Sequence, residues 1–534
     1  MNQPYTKSLD HLGLVAGFCK EINLANTIDR ALGHSSQRKV SFGHLFVAML
    51  LNGLGFTGRT LHMYFEYFED KDLQRLLGID ITPESLNDDA LGRCFDALYE
   101  HGVSRLYQDI SETVVKTLGL PCDSVHLDGT SFHYDGQEKI HDGTEHHIQI
   151  MKGYSRDHRP DLNQAILQLI CENTAGIPVY MAAASGNCND MDSFKKIVKS
   201  HVQCLKAAHK SRYLVADAAL YVQETITHLT EIKQLFITRV PQTLKEAKDL
   251  IVSAKEQVFE GFTEGYEGVW VDSDYGDVKQ RWLLIRSEQA KKREQHSLNK
   301  RMLKNADTER KRFKSLTQLR FSCTDDAQKA LVQWRQKQKY LDVVSQIIEV
   351  PVFAGKGRPK KGQAPERIDY QITGDLFTRV SEREKAIDSL GLFIIATNDL
   401  SKNLTMEKLL STYKSQQSVE KGFRFLKSPD FLVNAIFLHK PERIEALLMV
   451  MTTCLMVYAA LEHKIRKELK HQDKYFPDQK KKPSQKPTAR WVFQCFANIN
   501  MLYVNEQDPM TINLKDRQKV IIDCLGEIYQ QIYY

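Results

Sequence analysis

The sequence predicts an α/β protein whose sheet-bearing domain is split by a long insertion and preceded by a helical region. Three observations carry this. Apolar residues recur at helical spacing up to about residue 120, as in residues 42–51 (FGHLFVAMLL). Residues 124–240 then run three strands, helix, strand, helix, strand, an order that suits a sheet with helices on its faces. Buried-strand character returns at residues 391–397 (GLFIIAT), after a charged tract.

Each element has a local signal. Residues 85–91 (SLNDDAL) look like a helix start, with Asn87 and Asp88 as cap candidates because their side-chain oxygens accept from the first free amides. Pro121 closes the helical region. Residues 124–128 (SVHLD), 145–151 (EHHIQIM) and 165–171 (AILQLIC) read as an antiparallel meander. Residues 173–178 (NTAGIP) make a turn, and residues 179–182 lead away from it. A helix over residues 190–209, a strand at 213–217 (YLVAD), a second helix and a strand at 235–240 (LFITRV) follow. Residues 242–390 interrupt the pattern with a charged helical tract and a strand at 280–285 (QRWLLI). The most apolar run, residues 446–461 (ALLMVMTTCLMVYAAL), is short for a membrane span, holds two threonines and follows the helix-starting Pro441. A buried core helix is expected there, with no membrane partner.

The 534 residues carry 73 Lys+Arg against 67 Asp+Glu, a formal charge of +6. Hydrophobic residues make up 42% and charged residues 26%, with Gly 28 and Pro 15, which excludes a disordered, collagen-like or low-complexity chain. The charge is clustered: residues 286–320 hold twelve Lys/Arg and four Asp/Glu, more than the whole chain's surplus. None of the ten cysteines forms a C-x-x-C pair, which argues against a zinc ribbon or redox motif and fits a reducing compartment. The opening MNQPYTKSLDHLGLV lacks the pattern of a signal peptide.

Three acidic residues stand out by position. Asp128 closes the first strand, Asp217 closes the fourth, and Glu420 lies on a late helix. Ligands of α/β sheets bind beyond the carboxyl ends of strands. Neighbouring carboxylates repel, so gathering them needs a cation, and hard oxygen ligands suit Mg²⁺ or Mn²⁺. Two such ions about 3.5–4 Å apart serve phosphoryl transfer. A lone Asp at a strand end is more often a turn or cap residue. The helix expected at 413–427 adds the pattern: Tyr413, Gln416, Glu420, Arg424 and Lys427 share one polar stripe about 80° wide. Periodicity alone is also satisfied by a solvated face with a Glu420–Arg424 pair.

Tyr413, Glu420 and Lys427 are similar to the Y-x(2)-R-x(3)-E-x(6)-K signature of bacterial insertion-sequence transposases of the DDE class, the IS-four superfamily. Asp128 and Asp217 resemble that family's two aspartates, 89 residues apart, and Glu420 follows after another 203. Residues 153–161 (GYSRDHRPD) resemble the segment such proteins carry between their first strands. The resemblance covers most of residues 120–470. It implies a ribonuclease H-like catalytic domain in two parts, 121–241 and 391–470, around an insertion domain at 242–390. A helical DNA-binding domain at 1–120 and a helical C-terminal region at 471–534 complete the chain. It further implies a DNA transposase that hydrolyses transposon ends with two Mg²⁺ or Mn²⁺ ions and joins the 3′ ends to target DNA. Asp128, Asp217 and Glu420 would hold the metals, and Tyr413 and Lys427 would contact phosphates. The expected partners are the terminal inverted repeats, target DNA and a second copy in a synaptic complex, in a prokaryotic cytoplasm close to the nucleoid. One departure is Gln416, which stands where the family has Arg. Gln donates a hydrogen bond but cannot neutralise a phosphate, and Arg424 lies along the same face to supply a cation.

Other candidates have bland alternatives beside them. The basic tract 286–320 suits either a DNA backbone or a solvated helical face. Lys356, Gly357, Arg358 and Pro359 resemble an AT-hook core, with Arg358 for a narrow minor groove, against an exposed basic linker. Trp282 suits stacking on an unpaired base or, more commonly, core packing. His126, His133, His141, His146 and His147 crowd the first strands, but their spacing matches no standard zinc site. A catalytically inactive DNA-binding derivative and a Mg²⁺-dependent nuclease without strand transfer are the competing readings.

Overall fold

The computed structural model describes residues 4–33, 35, 38–56, 63–134, 148–155, 159–202, 211–355, 360–428, 438, 440–504 and 508–534. Arg358 with its AT-hook-like neighbours, His141, His146 and His147 lie outside the described residues. The fold is mixed α/β, in two compact units. One comprises Met1–Arg239, Ser273–Gln280 and Ala396–Tyr534, the other Val240–Asp272 and Arg281–Ile395.

The first unit is built on a long apolar helix, Pro441–His471. Pro441 occupies its first turn, where a missing N–H costs nothing. The helix is long and apolar enough to cross a membrane by length and composition, yet 78% of its most apolar window is buried inside the protein. Its two buried threonines are tolerated because Thr452 Oγ1 donates to Leu448 O at 2.7 Å and Thr453 Oγ1 to Met449 O at 2.8 Å. Around it pack Leu12–Glu21, Phe42–Leu54, Asp88–His101 and Val103–Leu118. Asn87 caps the third of these, accepting from Ala90 N at 3.0 Å. Gly92 is the notch against which Arg443 lies: a Cβ there would stand 2.8 Å from the guanidinium. Arg443 then grips Asp96 through two bonds of 2.7 Å each.

Residues 5–21 close on residues 500–533. Strand β1 (Tyr5–Ser8) pairs antiparallel with Asn500–Tyr503. On helix Leu12–Glu21, Gly13 receives the ring of Tyr533 and Gly17 that of Tyr529; a Cβ at either would come within 2.5 Å of a ring atom.

Five further strands of this unit, β2 (Ser124–Tyr134), β3 (Asn163–Glu172), β4 (Pro178–Ser185), β5 (Tyr213–Ala216) and β6 (Leu235–Arg239), lie side by side as β4-β3-β2-β5-β6. β2 is antiparallel to β3 and β3 to β4, whereas β2, β5 and β6 are mutually parallel. The meander therefore differs from the sequence expectation. Residues 135–147 lie outside the described residues, and residues 148–151 form no strand but only isolated bridges at Ile150 and Met151, the latter opposite Gln164. The third antiparallel member is β4. A buried carboxylate shapes the turn before it: Glu172 accepts from the amides of Thr174, Ala175 and Ile177 at 2.6, 2.6 and 3.1 Å.

The second unit carries strands β7 (Glu260–Thr263), β8 (Tyr266–Ser273), β9 (Gln280–Ser287), β10 (Leu341–Val352), β11 (Arg367–Thr378) and β12 (Leu392–Thr397). Four lie in the order β12-β9-β8-β7, while β10 and β11 form a separate antiparallel ribbon. That ribbon and helices Glu288–Thr317 and Thr324–Gln336 enclose a small core of Phe313, Ala327, Leu331, Trp334, Val343 and Ile372.

The Asp96–Arg443 fork gives a stability test. The guanidinium beside Asp96 holds its carboxyl below the usual carboxylate range, so the contribution is present at neutral pH and is lost as pH falls through that lowered value. Asp96→Ala should cost about 1 kcal/mol in urea unfolding at pH 7, the upper end for a partly exposed pair. An unchanged unfolding midpoint would show that the fork contributes nothing.

Candidate active site

Register builds the site. Leu127 on β2 pairs with Ala216 on β5, and Ala216 with Thr238 on β6. All three are fully buried. The next residue on each strand points to the opposite face, which sets Asp128, Asp217 and Arg239 in a row across three neighbouring strands at about 4.8 Å spacing. All three are half-buried. Asp128 does not close its strand, as the sequence suggested. It stays in the antiparallel ladder opposite Leu169, and only the parallel pairing with β5 stops before it. Backbone amides orient the two carboxylates: Asp128 Oδ1 accepts from Gly129 N at 2.8 Å, and Asp217 Oδ1 from Ala219 N at 2.9 Å as the cap of a short 3₁₀ turn.

The expected continuous helix at 413–427 is two helices, Met406–Lys414 and Gln417–Leu426, joined through Ser415 and Gln416. The joint is fastened to the sheet. His126, two residues before Asp128 on the same face of β2, is fully buried with Nε2 3.0 Å from Ser415 Oγ. Ser415 donates its single hydroxyl proton to Thr412 O at 2.7 Å. His126 is therefore the donor and carries its proton on Nε2. At the far end, Lys427 Nζ stands 5.9 Å from the centre of the Phe132 ring, again on that face of β2. Between the two ties Glu420 lies about 7–8 Å along the helix and Asp128 about 6–7 Å along the strand, so the two come level. Val419, Phe423 and Leu426 face inward, and Glu420 and Arg424 outward.

Tyr413 reports how the charges gather. Burial raises its phenol above the ordinary range; the Asp217, Glu420 and Asp128 carboxylates act in the same direction, and Arg239 opposes them. One phenol thus lies within electrostatic reach of all three acids and of Arg239. The carboxylates do not close into a cage: among the described residues no three His, Cys, Asp or Glu side chains are close enough together to hold a metal ion. The donor chemistry, hard carboxylate oxygens on adjacent strands beside an outward-facing glutamate, fits a Mg²⁺-type cation.

The remaining candidates scatter. Gln416 sits in the helix joint, its C=O accepting from Val419 N at 3.0 Å. Arg424 is exposed, one turn beyond the equally exposed Glu420. Trp282 belongs to the second unit and is only 2% exposed, so its ring is buried and offers no face to a base. Sequence reasoning missed Arg239 altogether, and it named His126 only among the histidines of the first strands, without its tie to the helix joint. The signal for Arg239 was a third apolar strand, residues 235–238, ending in a charged residue, as the two aspartate-bearing segments do.

The Transposase DDE domain family matches residues 125–457, more than half of the chain. The chain belongs to the DDE transposase family. Its domain is that of a DNA-processing enzyme, with Asp128, Asp217 and Glu420 all inside the matched region. A domain of unknown function, DUF4277, matches residues 5–112 of this transposase-family protein. No curated protein sequence matches it. Among solved structures it is similar to a piggyBac transposase synaptic complex with hairpin DNA, determined by cryo-EM. The identity is 8%, with 93% of this chain and 82% of that chain covered, at a TM-score of 0.38.

His126 supplies a pH test. Burial pushes its imidazole down to about 4 from the ordinary 6.5. Between those values the unfolded chain takes up a proton that the folded chain refuses, so this residue's contribution to stability is full above pH 6.5 and is lost as pH falls toward 4. His126→Gln should therefore flatten the fall of the urea midpoint across that window relative to the parent. Parallel curves for the two proteins would contradict the buried neutral imidazole.

Proposed function

We propose that the protein is an active DNA transposase that cleaves the ends of its element and joins their 3′ ends to target DNA, with Asp128, Asp217 and Glu420 as the metal-binding triad. The observation that carries the reading is the row Asp128–Asp217–Arg239, with Glu420 level with Asp128 and Tyr413 within electrostatic reach of all four. The strand order, with two antiparallel strands beside three parallel ones, supports a ribonuclease H-like domain. Residues 242–390 would be its insertion domain, residues 1–120 the reader of terminal repeats, and a dimer the assembly that pairs two ends.

The three carboxylates would hold one or two Mg²⁺ or Mn²⁺ ions, which supply a nucleophile at neutral pH and charge stabilisation for in-line displacement at phosphorus. The chain's own residues do the rest. Arg239 sets a permanent cation beside the carboxylates, where it can meet a phosphate oxygen without leaving the row. Tyr413, kept protonated by burial and by the surrounding acids, donates its O–H to phosphate. Lys427 adds a point charge about two turns beyond Glu420. His126, through Ser415, holds the helix joint from which Tyr413 and Glu420 both project. Gln416, in that joint, leaves the family's arginine position uncharged, and Arg239 reaches the same neighbourhood from the sheet.

Incubation with duplex DNA carrying the element's ends and Mg²⁺ should yield a nick at the end and then a covalent joint of the donor 3′ end to target. Asp128→Asn and Glu420→Gln should each reduce both products more than about 100-fold, because even partners outside the first coordination shell cost about 10–100-fold. Nicks without joints would leave a nuclease. No metal-dependent product would leave an inactive DNA-binding derivative.

A further inference from the structure

Helix Glu288–Thr317 of the second unit is thirty residues long and so spans about 45 Å. Its inward side is Leu298, Met302, Ala306, Glu309 and Phe313, all buried or half-buried. At about 100° per residue these fall within a sector roughly 80° wide. The sector roughly opposite holds Arg293, Lys300, Lys304, Lys311 and Lys314, each exposed. From first to last this stripe runs about 31 Å.

The acids of the helix are mostly engaged elsewhere. Glu309 is buried, bonded to Gln338 and paired with Arg312 at 2.6 Å. Glu294 accepts from Gly391 N at 2.8 Å. Asp307, the one acid in the basic sector, is paired with Arg310 at 3.5 Å. Lys300 and Lys304 stand one turn apart, as do Lys311 and Lys314, and like charges at that spacing destabilise a helix unless an anion lies against them. A helix face that only needed solvation would alternate its signs. Four of the five cations are lysines, compact point charges that suit phosphate oxygens and read no base.

We propose that this stripe lies along the phosphate backbone of duplex DNA and binds it without regard to sequence. The proposal rests on the DNA-acting reading above and adds a surface that meets the duplex outside the carboxylate site. Each phosphate contact releases counterions, so contacts are counted by the salt dependence of binding, about 0.9 per contact in the slope of log K against log salt.

The test measures binding of the full-length protein to a short random-sequence duplex by fluorescence anisotropy across about 50–200 mM salt. The stripe variant carries Arg293→Gln, Lys300→Gln, Lys304→Gln and Lys311→Gln. The control removes the same charge from exposed positions off the stripe, with Lys291→Gln, Lys292→Gln, Arg301→Gln and Lys337→Gln. The stripe variant should flatten the slope by about three to four, and the control by less than about one. A stripe variant with the parent's slope overturns the proposal. So does an equal loss in the control, because the effect would then be diffuse charge. Thermal melts of both variants should match the parent, since every substituted side chain is exposed. The end-cleavage assay separates the two readings. A parent that binds with this slope but never cuts removes the transposase activity and leaves the stripe. A cutting protein whose stripe variant binds unchanged does the reverse.

Discussion

The in-register pairing of three parallel strands is the constraint on which the site depends. Leu127, Ala216 and Thr238 are fully buried and lie abreast, so the residue after each must emerge on the other face. A slip of one residue in any strand would turn its functional side chain into the core and its core residue outward. The apolar interior thus enforces the alignment of Asp128, Asp217 and Arg239 far more firmly than any attraction among them. It has to, because two adjacent carboxylates gain nothing from each other's company.

The third carboxylate arrives by a different route. Glu420 comes from a helix more than 200 residues later in the chain, and its position depends on two ties to one face of β2: the His126–Ser415 hydrogen bond and the Lys427–Phe132 contact. The first tie buries an imidazole with Nδ1 left without a partner, a local cost of the kind natural proteins concentrate at functional sites. Gly422 lets the helix approach the long core helix, with Leu455 3.0 Å from where a Cβ would be. The carboxylate is thus referred at once to the sheet and to the long core helix of the unit.

Much of this was legible in the sequence. Asp128 and Asp217 were visible because each follows an apolar strand segment, and Asn87 because caps have a chemical signature. The core helix Pro441–His471 was legible in its apolar run and its starting proline. The break between Tyr413 and Glu420 was not. Ser415 and Gln416 both keep right-handed helical dihedrals, so neither Gly nor Pro marks the joint, and its anchor is a histidine 289 residues away. Strand β4 was only half seen because Ala182-Ala183-Ala184 has weak strand propensity; its partner β3 imposes the conformation. Arg239 was marked by its place after an apolar segment, but its alignment with the two aspartates could not be assigned, because register between distant strands is a property of the fold and no spacing encodes it.

The interlock of Gly13 and Gly17 with Tyr533 and Tyr529 has a consequence in time. The two glycines alone leave a notched, apolar helix face that only residues more than 500 positions later fill, and β1 likewise waits for Asn500–Tyr503. On the ribosome, helix Leu12–Glu21 remains incompletely packed until Tyr529 and Tyr533 have emerged. Until then that face stays open to proteases and chaperones, and a chain truncated before residue 529 would leave it open permanently.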